Sequence, residues 1–346
     1  MRKTIIDIDA KPGGPCDETV TRREPANFNA RDRPLSADDL SKCIAVPHVA
    51  EHRDVTITAE GVLYKNGTIM DESFARPENF RRFRRKRVFK RYEESVKLLP
   101  VREAGSVLWI TDDWSKGYFH WLADVLPKLI IAAEHLKTST VLLPGRFRDS
   151  QLAKDSLELF GVRNFQFVGL NETVRAARLF LPFHAAQSGD FDTQVIRQVG
   201  KILVDPFQHA AVPDRRIYIS RAKAKRRKIV NEAALANILG GFGFESIYAE
   251  DLSFAEQVRL FASTSHLISI HGAGLSNMLF MPAGGKVFEL RKDDPAGSEC
   301  FLNMASALGR EYHHQFCSAK SVGQPPYSAD LLVDIQRLIR NLRQFL

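Results

Sequence analysis

Apolar and polar positions alternate along the chain with two periods, and the switches between them lay out its elements. From Val46 to Ile69 the pattern is short and β-like, as in "VTITAEGVLYKNGTI", with Asn66-Gly67 as a hairpin turn signal. "SVLWI" (106–110) predicts a strand. The spacing of "HWLADVLPKLIIAAEHL" (120–136) predicts a helix, with Pro127 starting or kinking its second turn. Strands at "TVLLP", "FQFVG" and "ARLFLPF" then interleave with helices at "DSQLAKDSLELFG" and "DTQVIRQVGKILV". That βαβ alternation predicts a parallel sheet. "DPFQHAAVPD" (205–214) carries two prolines and little periodicity, and the pattern restarts after it. "RIYIS", "FESIY", "HLISI" and "KVFEL" read as strands. "NEAALANILGGFG", "SFAEQVRLFAS" and "GSECFLNMASALG" read as helices, with Asn231 as an N-cap and Ser253/Glu256 at capping-box spacing. In the last segment Leu331, Leu332, Ile335, Leu338, Ile339, Leu342 and Phe345 form one amphipathic stripe.

The expected architecture is α/β, with two Rossmann-like domains facing each other. The boundaries that follow are an N-terminal arm over 1–40, a first domain over 41–205, a linker over 206–214, a second domain over 215–325 and a C-terminal amphipathic helix over 326–346. At 346 residues the chain is long enough for two cores.

Charge changes the picture more than composition does. A net charge of +8 favours anionic partners such as nucleic acid, acidic lipid or phosphorylated small molecules. Eight of the eleven residues from Arg81 to Arg91 are basic, interleaved with aromatic residues from Phe80 to Tyr92. Such a run suits base stacking, a membrane surface or merely a solvated helix face. Four scattered cysteines without a CxxC predict a reduced interior. The N-terminus lacks the apolar stretch of a signal peptide, and no window holds eighteen uninterrupted apolar residues. The expectation is a cytoplasmic protein, peripheral at most on the inner membrane face.

Three segments carry candidate chemistry. In "YFHWLADVLPKL", helical spacing puts His120, Asp124 and Lys128 on one face. His120 and Asp124 then form a base-and-orienter pair, or Asp124 and Lys128 an ordinary helix salt bridge. In "RIYISRAKAKRRKIVNE", Arg221 sits just past a strand end and Lys223 to Lys228 add five more cations. They neutralise a pyrophosphate or simply face solvent. In "HLISIHGAGLSNMLFMPAGGKVFEL", a strand breaks at His271, Gly272 and Gly274 and opens a helical turn, which leaves backbone N–H groups bare for an anion. Glu289 ends the following strand. The spacing is neither GxGxxG nor GxxxxGK[ST], and no GxSxG elbow or zinc spacing is present.

Taken in order, these three segments resemble the glycosyltransferase 61 family, the capsular polysaccharide biosynthesis type, from about residue 105 to 292. The resemblance implies a GT-B fold with two domains across a cleft and a C-terminal helix crossing back to the first. It implies an inverting transfer from a nucleotide sugar, a nucleoside diphosphate sugar, to a glycan or lipid-linked acceptor, with bacterial members in surface polysaccharide synthesis. No cofactor and no metal are expected. It assigns Ser220, Arg221, Arg227, Asn231, Glu232, His271, Gly272, Ala273, Gly274 and Glu289 to the donor. His120 and Asp124 go to the acceptor side, with Asp124 where many bacterial members have Glu. His120 stands slightly ahead of Asp124 as the base. The run 80–92 and the net charge suggest a lipid-linked or anionic glycan acceptor at the inner membrane face, with peripheral contact to an anionic membrane through 80–92. The competing class is a nucleic-acid-binding protein using 81–91 and 223–228. It leaves the histidine and glycine segments unexplained, so no nucleic acid partner is expected.

Overall fold

The computed structural model describes residues 18–28, 40–84, 96–184, 186–207, 213–293, 298–321, 323–324 and 328–346. Its contacts form two units, one running from Ile44 to Ser188, the other combining Thr19–Cys43 with Gly189–Leu346. The division falls between Ser188 and Gly189, ahead of the proline-bearing stretch 205–214; of that stretch, 208–212 lies outside the described residues. A small ribbon pairs β1 (Glu18–Thr21) with β2 (Ser41–Ile44). Cys43 is disulfide-bonded while Cys300 and Cys317 are free, so the expectation of reduced cysteines fails at Cys43.

The first unit is built on seven strands: β3 (Val49–Thr58), β4 (Leu63–Lys65), β5 (Thr68–Ile69), β6 (Val101–Trp109), β7 (Thr140–Leu143), β8 (Phe165–Phe167) and β9 (Thr173–Pro182). Their order is β5-β4-β3-β9-β6-β7-β8. Strands β9, β6, β7 and β8 are parallel, as the alternation predicts. The rest is an antiparallel meander, because Asn66 and Gly67 (φ 52° and 74°) turn β4 back into β5 and β3 pairs with β9 along its length. Val55, Ile57, Leu63, Val107, Trp109, Val174 and Leu179 fill the core beneath.

The predicted helix over 120–136 is broken. A turn at Tyr118–His120 runs into a π-helical turn at Trp121–Val125, then a helix at Leu126–Ile131 and a 3-10 turn at Ala133–His135. Pro127, at the start of the third piece, cannot donate a helical hydrogen bond, and the wide turn lies directly before it.

The second unit carries β10 (Arg215–Ile219), β11 (Glu245–Ile247), β12 (Thr264–Ile270), β13 (Lys286–Lys292), β14 (Glu311–Ala319) and β15 (Leu331–Leu332), ordered β11-β10-β12-β13-β14-β15. The first five are parallel and β15 is antiparallel to β14. Both units are therefore mixed α/β with Rossmann-like sheets.

The last helix differs from its expectation in two ways. It starts at Ile335, where Asp334 accepts from the Arg337 N–H at 2.9 Å, while Leu331 and Leu332 leave it to form β15. Leu338, Leu342 and Phe345 are fully buried against Tyr218, Leu235, Leu239 and Phe288 of the same unit. That apolar face packs on the sheet of its own unit. Three such side chains contribute on the order of 5 kcal/mol or more.

Candidate active site

In the second unit the strand order places β10 beside β12 at the point where the topology reverses. Open parallel sheets bind ligands there, outside the carboxyl ends of the strands. β10 runs into Ser220 and Arg221; β12 runs into His271 and Gly272. A 3-10 helix, Ala273–Phe280, opens directly after Gly272, and no side chain caps it. Gly272 is in extended backbone, so its need for glycine is one of space. A Cβ there would lie 3.3 Å from Nη1 of Arg221 and 3.7 Å from Nη1 of Arg227. Gly274 seats the turn on β10, since its Cβ would lie 3.3 Å from two carbons of Ile219.

Two guanidinium groups therefore converge over a bare turn. Arg227 adopts left-handed backbone (φ 58°) and donates from Nη1 to the His271 carbonyl at 3.1 Å. The Nε groups of both arginines are buried and make no hydrogen bond. Burial, then the charges of Arg221 and Arg226, push Arg227 down to about 10. Burial also lowers Arg221, against the pull of Glu250. Two like charges held this way, neither in an ion pair among the described residues, suit an oxyanion.

Behind this pair, Glu289 on β13 is 1% exposed. His271 meets one of its oxygens through Nδ1, and the Tyr312 hydroxyl donates to the other. Burial opposes its charge, but His271 and Arg291 hold its carboxyl at about 2. Arg291 is itself paired with Glu299 (Nη2–Oε1 2.9 Å). Both oxygens of Glu289 are engaged inside the protein, so it acts through His271, fixing Nδ1 and leaving Nε2 for a ligand.

The remaining residues that the resemblance assigns to the donor hold the basic loop in place. Oε1 of Glu232 accepts from the Ser220 hydroxyl at 2.5 Å and from Tyr218 at 2.8 Å. Asn231 does not cap its helix. Its amide donates to the Val333 carbonyl at 2.9 Å and accepts the Val333 N–H at 3.0 Å. Val230 donates to Leu331 (2.7 Å), Leu331 donates to Lys228 (2.8 Å), and Lys228 donates to the Asp330 carboxylate (2.9 Å). The loop that carries Arg227 is stapled to 330–333. Ala273 opens the helix after Gly272.

In the first unit β6 lies between β7 and β9, which makes β6/β9 its reversal point. His120 follows β6, and Ser188 and His184 follow β9. Nδ1 of His120 lies 2.6 Å from Oδ2 of Asp124, and the Ser188 hydroxyl donates to that same oxygen at 2.8 Å. Asp124 is buried, and the His120 ring rests 4.9 Å from Trp114. Lys128 turns to Asp112 (3.9 Å) instead of Asp124, which removes the simple helix salt bridge. Burial and then Lys128 push His184 down to about 4, with Asp124 and Asp112 opposing. Ser188, His184, Arg291 and Tyr312 are absent from the sequence reading. The first two had a signal, since they lie just past the carboxyl end of a predicted strand.

Among the described residues no group of three or more His, Cys, Asp or Glu could hold a metal ion, and no helix is long and apolar enough to cross a membrane. Comparison with known proteins brings both sites under one heading. The glycosyltransferase 61 family model matches residues 118–288, from two residues before His120 to one before Glu289. The EGF domain-specific O-linked N-acetylglucosamine transferase of Bos taurus is 34% identical over 103 residues, 28% of this chain and 19% of the relative. That of Drosophila melanogaster is 33% identical over 99 residues, 28% and 18% respectively. The protein O-linked-mannose beta-1,4-N-acetylglucosaminyltransferase 2 of Pan troglodytes is 37% identical over 101 residues, 28% and 17%. The chain thus spans about a fifth of the length of these curated relatives. The chain is thus similar to glycosyltransferases, and to the glycosyltransferase 61 family over just under half of its length.

Proposed function

We propose that the protein is an inverting glycosyltransferase of GT-B type, with a nucleoside diphosphate sugar in the second unit and the acceptor hydroxyl in the first. The observation that carries the reading is the convergence of Arg221 and Arg227 on the Gly272 turn, with neither in an ion pair among the described residues. As the acceptor oxygen attacks the anomeric carbon, the bond to the diphosphate breaks on the opposite face and negative charge gathers on the leaving group. The two guanidinium groups and the uncapped start of Ala273–Phe280 stabilise that charge, which supports a metal-independent reaction. His271 offers Nε2 to a phosphate or donor-sugar oxygen.

The acceptor proton goes to Nε2 of His120, whose Nδ1 is held by Asp124. Asp124 as the base is the weaker choice, because its Oδ2 already receives both His120 and Ser188. The acceptor class we propose is a surface glycan or its lipid-linked precursor. The relatives named above are N-acetylglucosamine transferases, so N-acetylglucosamine is the first sugar to test. The nucleic-acid reading gains no observation from 223–228, where Lys223 is held by Asp251 and Arg227 turns toward Gly272; residues 85–91 of the other run lie outside the described residues.

The test is a thermal-shift panel with UDP, GDP, CDP, TDP and CMP, each with and without EDTA. One nucleoside diphosphate should raise the melting temperature equally in both conditions. No shift with any nucleotide, beside clear stabilisation by oligonucleotides, would overturn the proposal.

A further inference from the structure

The most basic run of the sequence is used by neither site described above. Its described part belongs to the helix Pro77–Arg84, and there Arg82 and Phe83 line a cleft of about 470 Å³ together with Gly61, Trp114, Lys116 and Arg146. That volume is of the size that holds a small organic ligand such as one or two sugar rings. Trp114 forms a shared wall, because it lines the cleft while its ring lies 4.9 Å from that of His120. A ligand in the cleft is one side chain away from the candidate base.

The charges of the cleft are unequally committed. Asp113 is occupied, accepting from the Ala75 N–H at 2.8 Å and the Asn79 amide at 2.9 Å. Arg146 is tied to the carbonyls of Glu60 and Asp112. Arg76 stacks over the Trp114 ring at 4.9 Å. Arg82 and Lys116, in contrast, are exposed and make neither an ion pair nor a hydrogen bond among the described residues. Arg82, Lys116 and Arg146 thus stand against the carboxylates of Asp113 and Glu60, which leaves the cleft one positive charge in surplus, with Arg82 and Lys116 uncommitted at its edge. A neutral sugar gains nothing from that surplus, whereas a carboxylate or phosphate takes up a charge-assisted contact from each.

We infer that this cleft is an acceptor subsite for a sugar bearing an acidic group, a carboxylate or a phosphate. The inference rests on the acceptor reading of the first unit. It gives Arg82 and Phe83, in the described part of the basic run, a place in the wall of a substrate site, and it narrows the acceptor to an acidic glycan.

The test uses the full chain carrying Arg221→Gln and Arg227→Gln, so that no anion is drawn to the donor turn. Glucuronic acid, glucose 6-phosphate and glucose are titrated by saturation-transfer NMR. At least one acidic sugar should bind ten-fold or more tighter than glucose, and the tighter of the two names the acidic group. Adding Arg82→Gln and Lys116→Gln should bring all three sugars to the same weak affinity with the melting temperature retained. Equal binding of glucose and both acidic sugars would overturn the inference, as would an acidic preference that survives the second pair of substitutions. Failure of the donor reading looks different. It is a missing nucleotide shift in the unsubstituted chain, which Arg82→Gln and Lys116→Gln do not touch.

Discussion

Replacing Arg227 by glutamine separates the donor reading from a merely structural loop. In the empty protein the substitution removes the 3.1 Å hydrogen bond to the His271 carbonyl, a loss of about 1 kcal/mol. It also relieves the repulsion from Arg221, which together with burial holds Arg227 down at about 10. Discounted for the exposed part of the side chain, that relief is again about 1 kcal/mol. The two nearly cancel, so the melting temperature without ligand should hardly move. With ligand the balance is one-sided. A lost charge-assisted contact to phosphate is worth roughly 1.5–3 kcal/mol, or about 10- to 150-fold in Kd. At a nucleotide concentration of about 100 times the original Kd, stabilisation should fall from about 2.7 kcal/mol to between about 1.4 and 0.3 kcal/mol. The assay is calorimetric or dye-monitored melting with the nucleoside diphosphate identified by the panel. If Arg227→Gln keeps the full ligand shift, the arginine pair does not hold the pyrophosphate and the reasoning fails.

Three further outcomes are expected. His120→Ala should lower turnover by about 10²- to 10⁴-fold while nucleotide stabilisation persists, and near-normal turnover would remove His120 as the base. Glu289 has a depressed folded pKa of about 2 against an ordinary 4.5, so the stability it contributes is present above pH 4.5 and lost as pH falls toward 2. Melting curves taken from pH 6 to pH 2 should show that loss, on the order of 3 kcal/mol, in the parent chain and not in Glu289→Gln. Gly200→Ala would place a Cβ 2.8 Å from the Leu279 carbonyl oxygen, so it should cost about 1–3 kcal/mol; an unchanged melting temperature would mean the two helices are not in that close contact.

Periodicity made most of the second unit legible. Its parallel strands are carried by β-branched runs, and the capping box at Ser253 and Glu256 forms as its spacing implies. β14 was not legible, because "EYHHQFCSA" has no apolar alternation. His313 and His314 nevertheless pack as core residues, His313 stacked 6.2 Å from Phe288 and edge-on to Phe345 at 5.0 Å. Without β14 the role of Tyr312 could not be seen, and Glu289 looked free to meet a ligand. Local spacing did bring His120 and Asp124 together, although through a π-helical turn that no residue pattern announces. Asn231 misled for a physical reason. Asparagine before a helix is a good cap, but the backbone of Val333, 102 residues away, competes for the same amide and wins.

The staple between 228–231 and 330–333 couples the basic loop to the last segment of the second unit. Arg227 adjoins the first stapled residue and sits in left-handed backbone, which a loop without outside support would readily leave. Anything that pulls on the last seventeen residues, such as a proteolytic nick or a partner gripping the C-terminal helix, would be felt at Arg227 as well as in the core that holds Leu338, Leu342 and Phe345. The tail thus ties the basic loop to the core, and a chain trimmed there would lose the staple together with the burial of Leu338, Leu342 and Phe345, so loop and fold would loosen as one.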